Sequence, residues 1–266
     1  MTSSSSLCWP TPSGRPPTAA LASIAVVLAL LVWSAPHAEI NIGRLFASLP
    51  AMVEFLSRIV VMPEWDYLPE LAKKMLETIE MAFIATSIAL ALSVPIGFLA
   101  AGNTSPHPAL FHAARALLSG MRALPELVWA LVFVSAVGLG PLAGIMALAL
   151  VTVGFMGKFF AESIEVVDPR AVEGVSAHGA GWLQLRTFAH LPQVLPDFIG
   201  STMYVLDHNL RAATILGLVG AGGIGYDMVM AMRLFQYDRL LLIAASIYLV
   251  VTVLDRLSDR FRAKVI

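Results

Sequence analysis

Charge is what this sequence has least of. Asp, Glu, Lys and Arg make up 13% of its 266 residues, against roughly 25% in a soluble domain. Water is therefore not its main solvent. The net charge of −1 leaves no basic surface for nucleic acid. Cysteine occurs once, at Cys8, which excludes an internal disulfide and a cysteine-based metal cluster. Enzyme signatures are missing too: no HExxH, no GxSxG and no metal ligands at useful spacing. Catalysis and a metal centre thus find no support. Met228, Met230 and Met232 in DMVMAM read as packing or lining groups.

Apolar residues are abundant instead, at 58%. They gather into runs at 18–34, 81–101, 124–150, 194–219 and 239–254. A membrane-spanning helix needs about 20 such residues. The run 124–150 is long enough for two short helices, with Gly138, Gly140 and Pro141 marking a bend. The pattern predicts an all-α polytopic membrane protein with about six transmembrane helices. Residues 1–17 read as a disordered cytoplasmic head and 18–266 as the membrane domain. The run 18–34 reads as an uncleaved first span, because SAPHAE makes a poor cleavage site. Leu68–Glu80 reads as an amphipathic lead-in to the span 81–101, where Pro95 suggests a kink. With six spans and the N-terminus inside, ten Lys and Arg fall inside and six outside. Positive residues favour the cytoplasm, which puts both termini and the loop 161–192 there.

That loop reads AESIEVVDPRAVEGVSAHGAGWLQLRTFAHLP. Asp168 before Pro169 is an N-cap signal, with Glu173 near the favourable end of the helix dipole. Gly179 and Gly181 end or bend that helix. Trp182, Leu183 and Leu185 begin a second one, which Leu191–Pro192 is expected to end. The pattern alone also suits a solvated connector.

The segment LDHNLR, 206–211, places four polar groups inside an apolar run. Asp207 and Arg211 are four residues apart, so they share a helix face and can pair. Asn209 points almost the opposite way, at ~3.6 residues per turn. One reading is a buried ion pair that pins helix packing, with Asn209 bonding across helices. Another is that Asp207, Asn209 and Arg211 line a path for an anion. A third ends the helix early, at the interface. GAGGIG, 220–225, lacks the preceding strand of a dinucleotide site and the GK[ST] ending of a phosphate loop. It reads as a close-packed bend or re-entrant turn through Gly220, Gly222, Gly223 and Gly225.

The loop resembles the permease subunits of ATP-binding-cassette (ABC) importers. Their pattern is EAA, three residues, G, nine residues, I-x-L-P. Here Glu173, Gly174 and Val175 are followed at that spacing by Gly179 and by Ala189-x-Leu191-Pro192, with Gly174, Val175 and Ala189 departing from it. LPQVLP, NLRAATILGLVGAGGIG and FQY are similar to the phosphonate-uptake branch. The resemblance implies the ABC importer permease (MetI-like) fold in a cell inner membrane. It implies a coupling loop that includes Glu173, Gly174, Val175, Gly179, Trp182, Leu183, Leu191 and Pro192. In it Glu173 contacts an ATPase, Gly179 turns the chain, and Trp182 and Leu183 seat an apolar face. It implies a cytoplasmic ABC ATPase dimer that binds ATP-Mg, a periplasmic substrate-binding protein, and a second copy of this chain. No cofactor is then expected on this chain. The glycine bend would lie near the periplasmic side, as a docking or gating element. The implied substrate is phosphonate or a related phosphorus oxyanion. Methionine and phosphate importers, an integral-membrane enzyme acting on lipid phosphates, and a membrane scaffold are the rivals.

Overall fold

The computed structural model describes residues 18–37, 42–59 and 64–265. The expected disordered head, 1–17, lies outside the described residues. Every regular element described is helical. The chain divides into two compact units, Met1–Ser57 and Arg58–Ile266. The first holds α1 (Thr18–His37) and nearly all of α2 (Ile42–Ile59). From Leu21 to Ser34 the side chains of α1 are exposed, and most are Val, Leu, Ile or Ala. Such a surface suits lipid better than water.

The second unit runs α3 (Leu68–Ala100), α4 (Pro108–Met121), α5 (Glu126–Val137), α6 (Pro141–Glu165), α7 (Pro169–Ser176), α8 (Trp182–Gln184), α9 (Leu191–Leu216), α10 (Ile224–Arg233) and α11 (Tyr237–Val265). The hub is α6, which packs against α3, α4, α5 and α9. Of its span 61% is buried, against 33% for α3 and 11% for α11. Its buried residues include Ala143, Gly144, Ala147, Gly154, Gly157 and Ala161. In lipid, helices associate by close packing, which small residues permit. Phe160 of α6 stacks on Phe198 of α9, with centroids 3.8 Å apart. Such a pair adds about 0.5–1.5 kcal/mol beyond burial. The outer face of α11 exposes Tyr248, Leu249 and Val253.

Three described helices can cross a membrane by length and composition: Trp65–Ala100, Pro141–Glu165 and Tyr237–Phe261. Two bent pairs, Pro108–Met121 with Glu126–Val137 (85°) and Trp182–Val219 with Ile224–Arg233 (47°), bring the number to five. The expectation was about six. Leu21–Ser34 of α1 is a shorter apolar stretch.

Three boundaries differ from the sequence reading. The lead-in and the first central span are one helix of 33 residues, with Pro95 inside it. Leu71, Met75, Thr78, Ala82, Ala85 and Ala89 form one buried stripe across the expected junction, so packing continues where hydropathy changes. The last helix likewise runs past the apolar stretch 239–254, to Val265. The second loop helix does not end at Leu191–Pro192. It passes through a π-helical turn, Leu185–His190, directly into α9. There the Leu191 N–H donates to the Arg186 carbonyl, five residues back. Pro192 follows the π-turn inside this continuous helix, where it has no N–H to add to the ladder.

The helix after α9 is turned by glycine. Gly220, Gly222 and Gly223 hold φ of 77°, 85° and 76°, a region closed to most side chains. A Cβ on Gly225 would land on the Thr214 carbonyl. We predict that Gly225→Ala destabilises the folded chain by about 1–3 kcal/mol, as overpacking does. Thermal melts in detergent check this. Gly120→Ala, with nothing within 4 Å of the added Cβ, should leave the melting temperature unchanged or raise it.

Candidate functional site

The hexapeptide LDHNLR lies within α9 and serves three faces. Arg211 Nη1 donates to Asp207 Oδ1 at 3.1 Å, and Nη2 donates to Asp207 Oδ2. Arg211 also lies 3.6 Å from Asp255 of α11. This face therefore looks toward α11. Asn209 is buried on the other side. Its Nδ2 donates to Thr86 Oγ1 of α3, and its Oδ1 accepts from Thr152 Oγ1 of α6, both at 2.9 Å. Thr86 in turn donates to the Ala82 carbonyl. His208 takes a third direction, into a cavity of about 170 Å³ that Glu126, Thr152, Phe155, Tyr204 and Asn209 also line.

An unpaired ion at mid-membrane costs about 2.5–3.5 kcal/mol on insertion scales. Pairing explains how Asp207 and Arg211 are tolerated. Of the residues expected along a path, Asn209 borders the cavity, and Asp207 and Arg211 do not line it. The structure thus separates groups that are adjacent in the sequence.

The loop is a braced, lever-shaped helix–turn–helix. Asp168 Oδ1 accepts from the Arg170 N–H at 2.9 Å, and Pro169 opens α7. Glu173 is exposed, with its carbonyl taken by Ala177 N and Ser176 Oγ. Gly174 and Val175 lie on the same short helix. Gly179 makes the turn at φ +77°, and the Gly181 N–H donates to Gln184 Oε1 at 2.8 Å. Trp182, Leu183 and Phe188 stand 45%, 66% and 70% exposed and form an apolar patch on the loop. Arg186 stacks 4.4 Å from the Trp182 ring and donates to the Thr104 carbonyl at 2.5 Å. The lever is thereby tied to the α3–α4 turn. A second tie runs from the Asp168 N–H to Gln193 Oε1 at 3.3 Å.

Two polar layers cap the bundle. Beside the lever, Glu165 accepts from the Gly102 N–H and from Arg115 Nη2, both at 2.7 Å, and Asn103 donates to the Ile164 carbonyl. At the other layer the N–H groups of Gly223 and Ile224 donate to Glu77 and Thr78 of α3, at 3.0 and 2.8 Å. There the Gly140 N–H donates to the Gly220 carbonyl. Arg239 hydrogen bonds Glu64 and holds its carboxyl below the usual range. Thr78 and Ala100 are about 33 Å apart along α3 at 1.5 Å per residue. That matches a hydrocarbon core of ~30 Å. Gly220, Gly222, Gly223 and Gly225 thus sit one membrane thickness from the lever.

Sequence reasoning missed Thr86, Thr152, Glu165, Asp255 and Phe188. Thr86 and Thr152 each carried a signal, a lone hydroxyl in an apolar run. Glu165, Asp255 and Phe188 carried none that distinguishes them from solvated loop or helix-end residues. Among the described residues no cluster of three His, Cys, Asp or Glu could hold a metal.

Comparison with known proteins agrees with this architecture. The profile of the family described as "Binding-protein-dependent transport system inner membrane component" matches residues 93–266. The chain is 42% identical over 229 residues to the phosphate-import permease protein PhnE of Mycolicibacterium smegmatis, covering 86% of this chain and 43% of that protein. It therefore spans less than half the length of that relative. It is 43% identical over 190 residues to the phosphite transport system permease protein PtxC of Stutzerimonas stutzeri, covering 71% of this chain and 69% of the relative. Among solved structures, an inward-facing MetNI methionine ABC transporter chain superposes with TM-score 0.67 at 19% identity, over 76% of this chain and 99% of that one.

The Asn209 node makes a measurable prediction. Asn209→Ala leaves two buried hydroxyls short of a partner and should cost about 1–3 kcal/mol. Combining it with Thr152→Val should cost less than the sum of the two single changes, because both remove the same bond. Unfolding of the four variants in detergent reads the coupling.

Proposed function

The chain belongs to the binding-protein-dependent transport system inner membrane component family, and on that premise we propose that it is the membrane-spanning permease of an ATP-driven importer. Its cargo is phosphonate or a related phosphorus oxyanion, moved from periplasm to cytoplasm. The names of relatives at 42–43% identity, given for phosphate and phosphite, support that cargo class. Two copies of the chain face one pathway, a cytoplasmic ATPase dimer binds ATP-Mg, and a periplasmic binding protein delivers the solute. Both termini lie in the cytoplasm.

The observation that carries the reading is the continuous helical path from the exposed lever to the polar centre of α9. Trp182, Leu183 and Phe188 offer an apolar face to a protein partner. When an ATPase seated on that face moves, the displacement passes through the π-turn into α9 without a loop to absorb it. There it reaches Asn209 and His208 at the cavity. Asp207 and Arg211 act on the pathway by seating α9 on α11. Held this way, an anion meets donors without a deep trap, as a conducting path requires. The glycine bend at the far layer is the docking or gating element for the binding protein.

Reconstituted uptake of labelled phosphonate or phosphite, with the ATPase and binding protein supplied, tests the whole reading. ATP-independent turnover of a lipid phosphate by the chain alone would replace it with an enzyme. Glu173→Ala should weaken capture of the ATPase and leave membrane insertion intact. Gly179→Pro should do so more strongly, since proline is locked near φ −65° where the turn needs +77°. Wild-type uptake in both variants would remove the coupling role. Arg211→Ala should lower uptake severalfold and Arg211→Lys less, since lysine still answers Asp207; equal, full uptake in both would remove Arg211 from the mechanism.

A further inference from the structure

Among the described residues Arg122 has no anionic partner. It caps the C-terminus of α4. A Cβ on Gly154 of α6 would come within 2.6 Å of Arg122 Cγ, so the glycine makes room for the arginine stem. The guanidinium carbon lies 5.4 Å from the centroid of the Phe155 ring. Its Nε is buried and meets no acceptor. Buried donors in native proteins nearly always have a partner or serve a ligand.

The surroundings supply further donors. Arg115, Ser119 and Arg122 recur at i, i+4 and i+7, so they share one face of α4. Across from them α6 presents Lys158 and Glu162, and together these residues line a cavity of about 240 Å³. Arg115 is committed to Glu165 at 2.7 Å. Lys158 reaches Glu162 only at 3.5 Å. The Arg122 guanidinium and the Ser119 hydroxyl are left to act on what enters.

We infer that this cavity binds a phosphate-like oxyanion. A guanidinium fork matches two oxygens of a tetrahedral anion, and an ammonium adds a point charge. Ser119 supplies one hydroxyl donor. Glu162 opposes binding and keeps it weak by competing for Lys158. The site is separate from the cavity between α6 and α9, and it lies by the layer that carries the lever, next to Ala100 and Arg115. The same chemistry is presented by a free oxyanion and by an anionic lipid headgroup. The assignment does not depend on transport, since binding needs neither ATPase nor binding protein.

The test uses the full chain in phosphatidylcholine nanodiscs, titrated with labelled inorganic phosphate by equilibrium dialysis. A parallel arm replaces part of the lipid with phosphatidylglycerol and counts retained lipid by native mass spectrometry. Saturable phosphate binding that Arg122→Gln weakens by about tenfold, the order of one charge-assisted bond, identifies a free-anion site. Retention of phosphatidylglycerol that falls in Arg122→Gln, without phosphate binding, identifies a headgroup site. Lys158→Gln is the second variant and should weaken the same ligand, and Glu162→Gln should tighten it. If neither ligand binds, or if both bind equally well to Arg122→Gln and Lys158→Gln, the assignment is overturned.

Discussion

The structure turns on one amide. In hydrocarbon no water is present to satisfy a polar side chain, so its partners must come from other helices. Asn209 meets that demand from both ends, donating to Thr86 and accepting from Thr152. Two bonds to two different helices fix the rotation of α9 about its own axis. Everything else on that helix follows. With Asn209 turned toward α3 and α6, helical geometry sends Asp207 and Arg211 to the α11 side and leaves His208 at the cavity. A charged pair without that amide could settle against any neighbour. The amide therefore sets which face of α9 meets the cavity and which is packed.

The polar layers at the two ends obey the same constraint at a different depth. Backbone groups freed at the α3–α4 turn, at the end of α6 and at the start of α10 are answered by Glu165, Asn103, Glu77 and Thr78. None of these sits in the middle of α3. They lie about one hydrocarbon thickness apart along it. The helix is longer than a bilayer requires, at ~50 Å for 33 residues. Its N-terminal turns therefore project, and there Tyr67, Leu71 and Met75 gather with Ile224 and Ile243 into a hydrophobic cluster of their own. That cluster holds α10 against α3.

Much of this was legible in the residues, where the signal is local. Asp168–Pro169 specified a capped helix start because the cap acts on N–H groups two residues away. Gly179 and GAGGIG announced turns because few other residues accept their φ values. The Asp207–Arg211 pair followed from a four-residue spacing. The boundaries that were misplaced depended on context. Leu191–Pro192 looks like a helix end, yet the chain passes through a π-turn there and continues as α9. Leu68–Glu80 looks like a separate element, yet a buried stripe runs through it. The partners of Asn209 were invisible because they lie 57 and 123 residues away.

Continuity through the π-turn has a mechanical consequence. From Leu191 to Leu216, α9 is a rod of ~39 Å, at 26 residues. In the proposed importer a displacement at Trp182 meets no loop before the opposite end of the rod. What waits there is the glycine bend, whose far side is anchored: the first N–H groups of α10 are held by Glu77 and Thr78 of α3. In that reading one side of the bend is driven and the other held by Glu77 and Thr78. Relative motion has to be taken up at Gly220, Gly222 and Gly223, whose backbone tolerates large changes of φ. Asn209 lies between drive and hinge, so its two threonine bonds are what any rotation of α9 must exchange. In the proposed importer, that exchange is the step at which work done on the lever opens or closes the path.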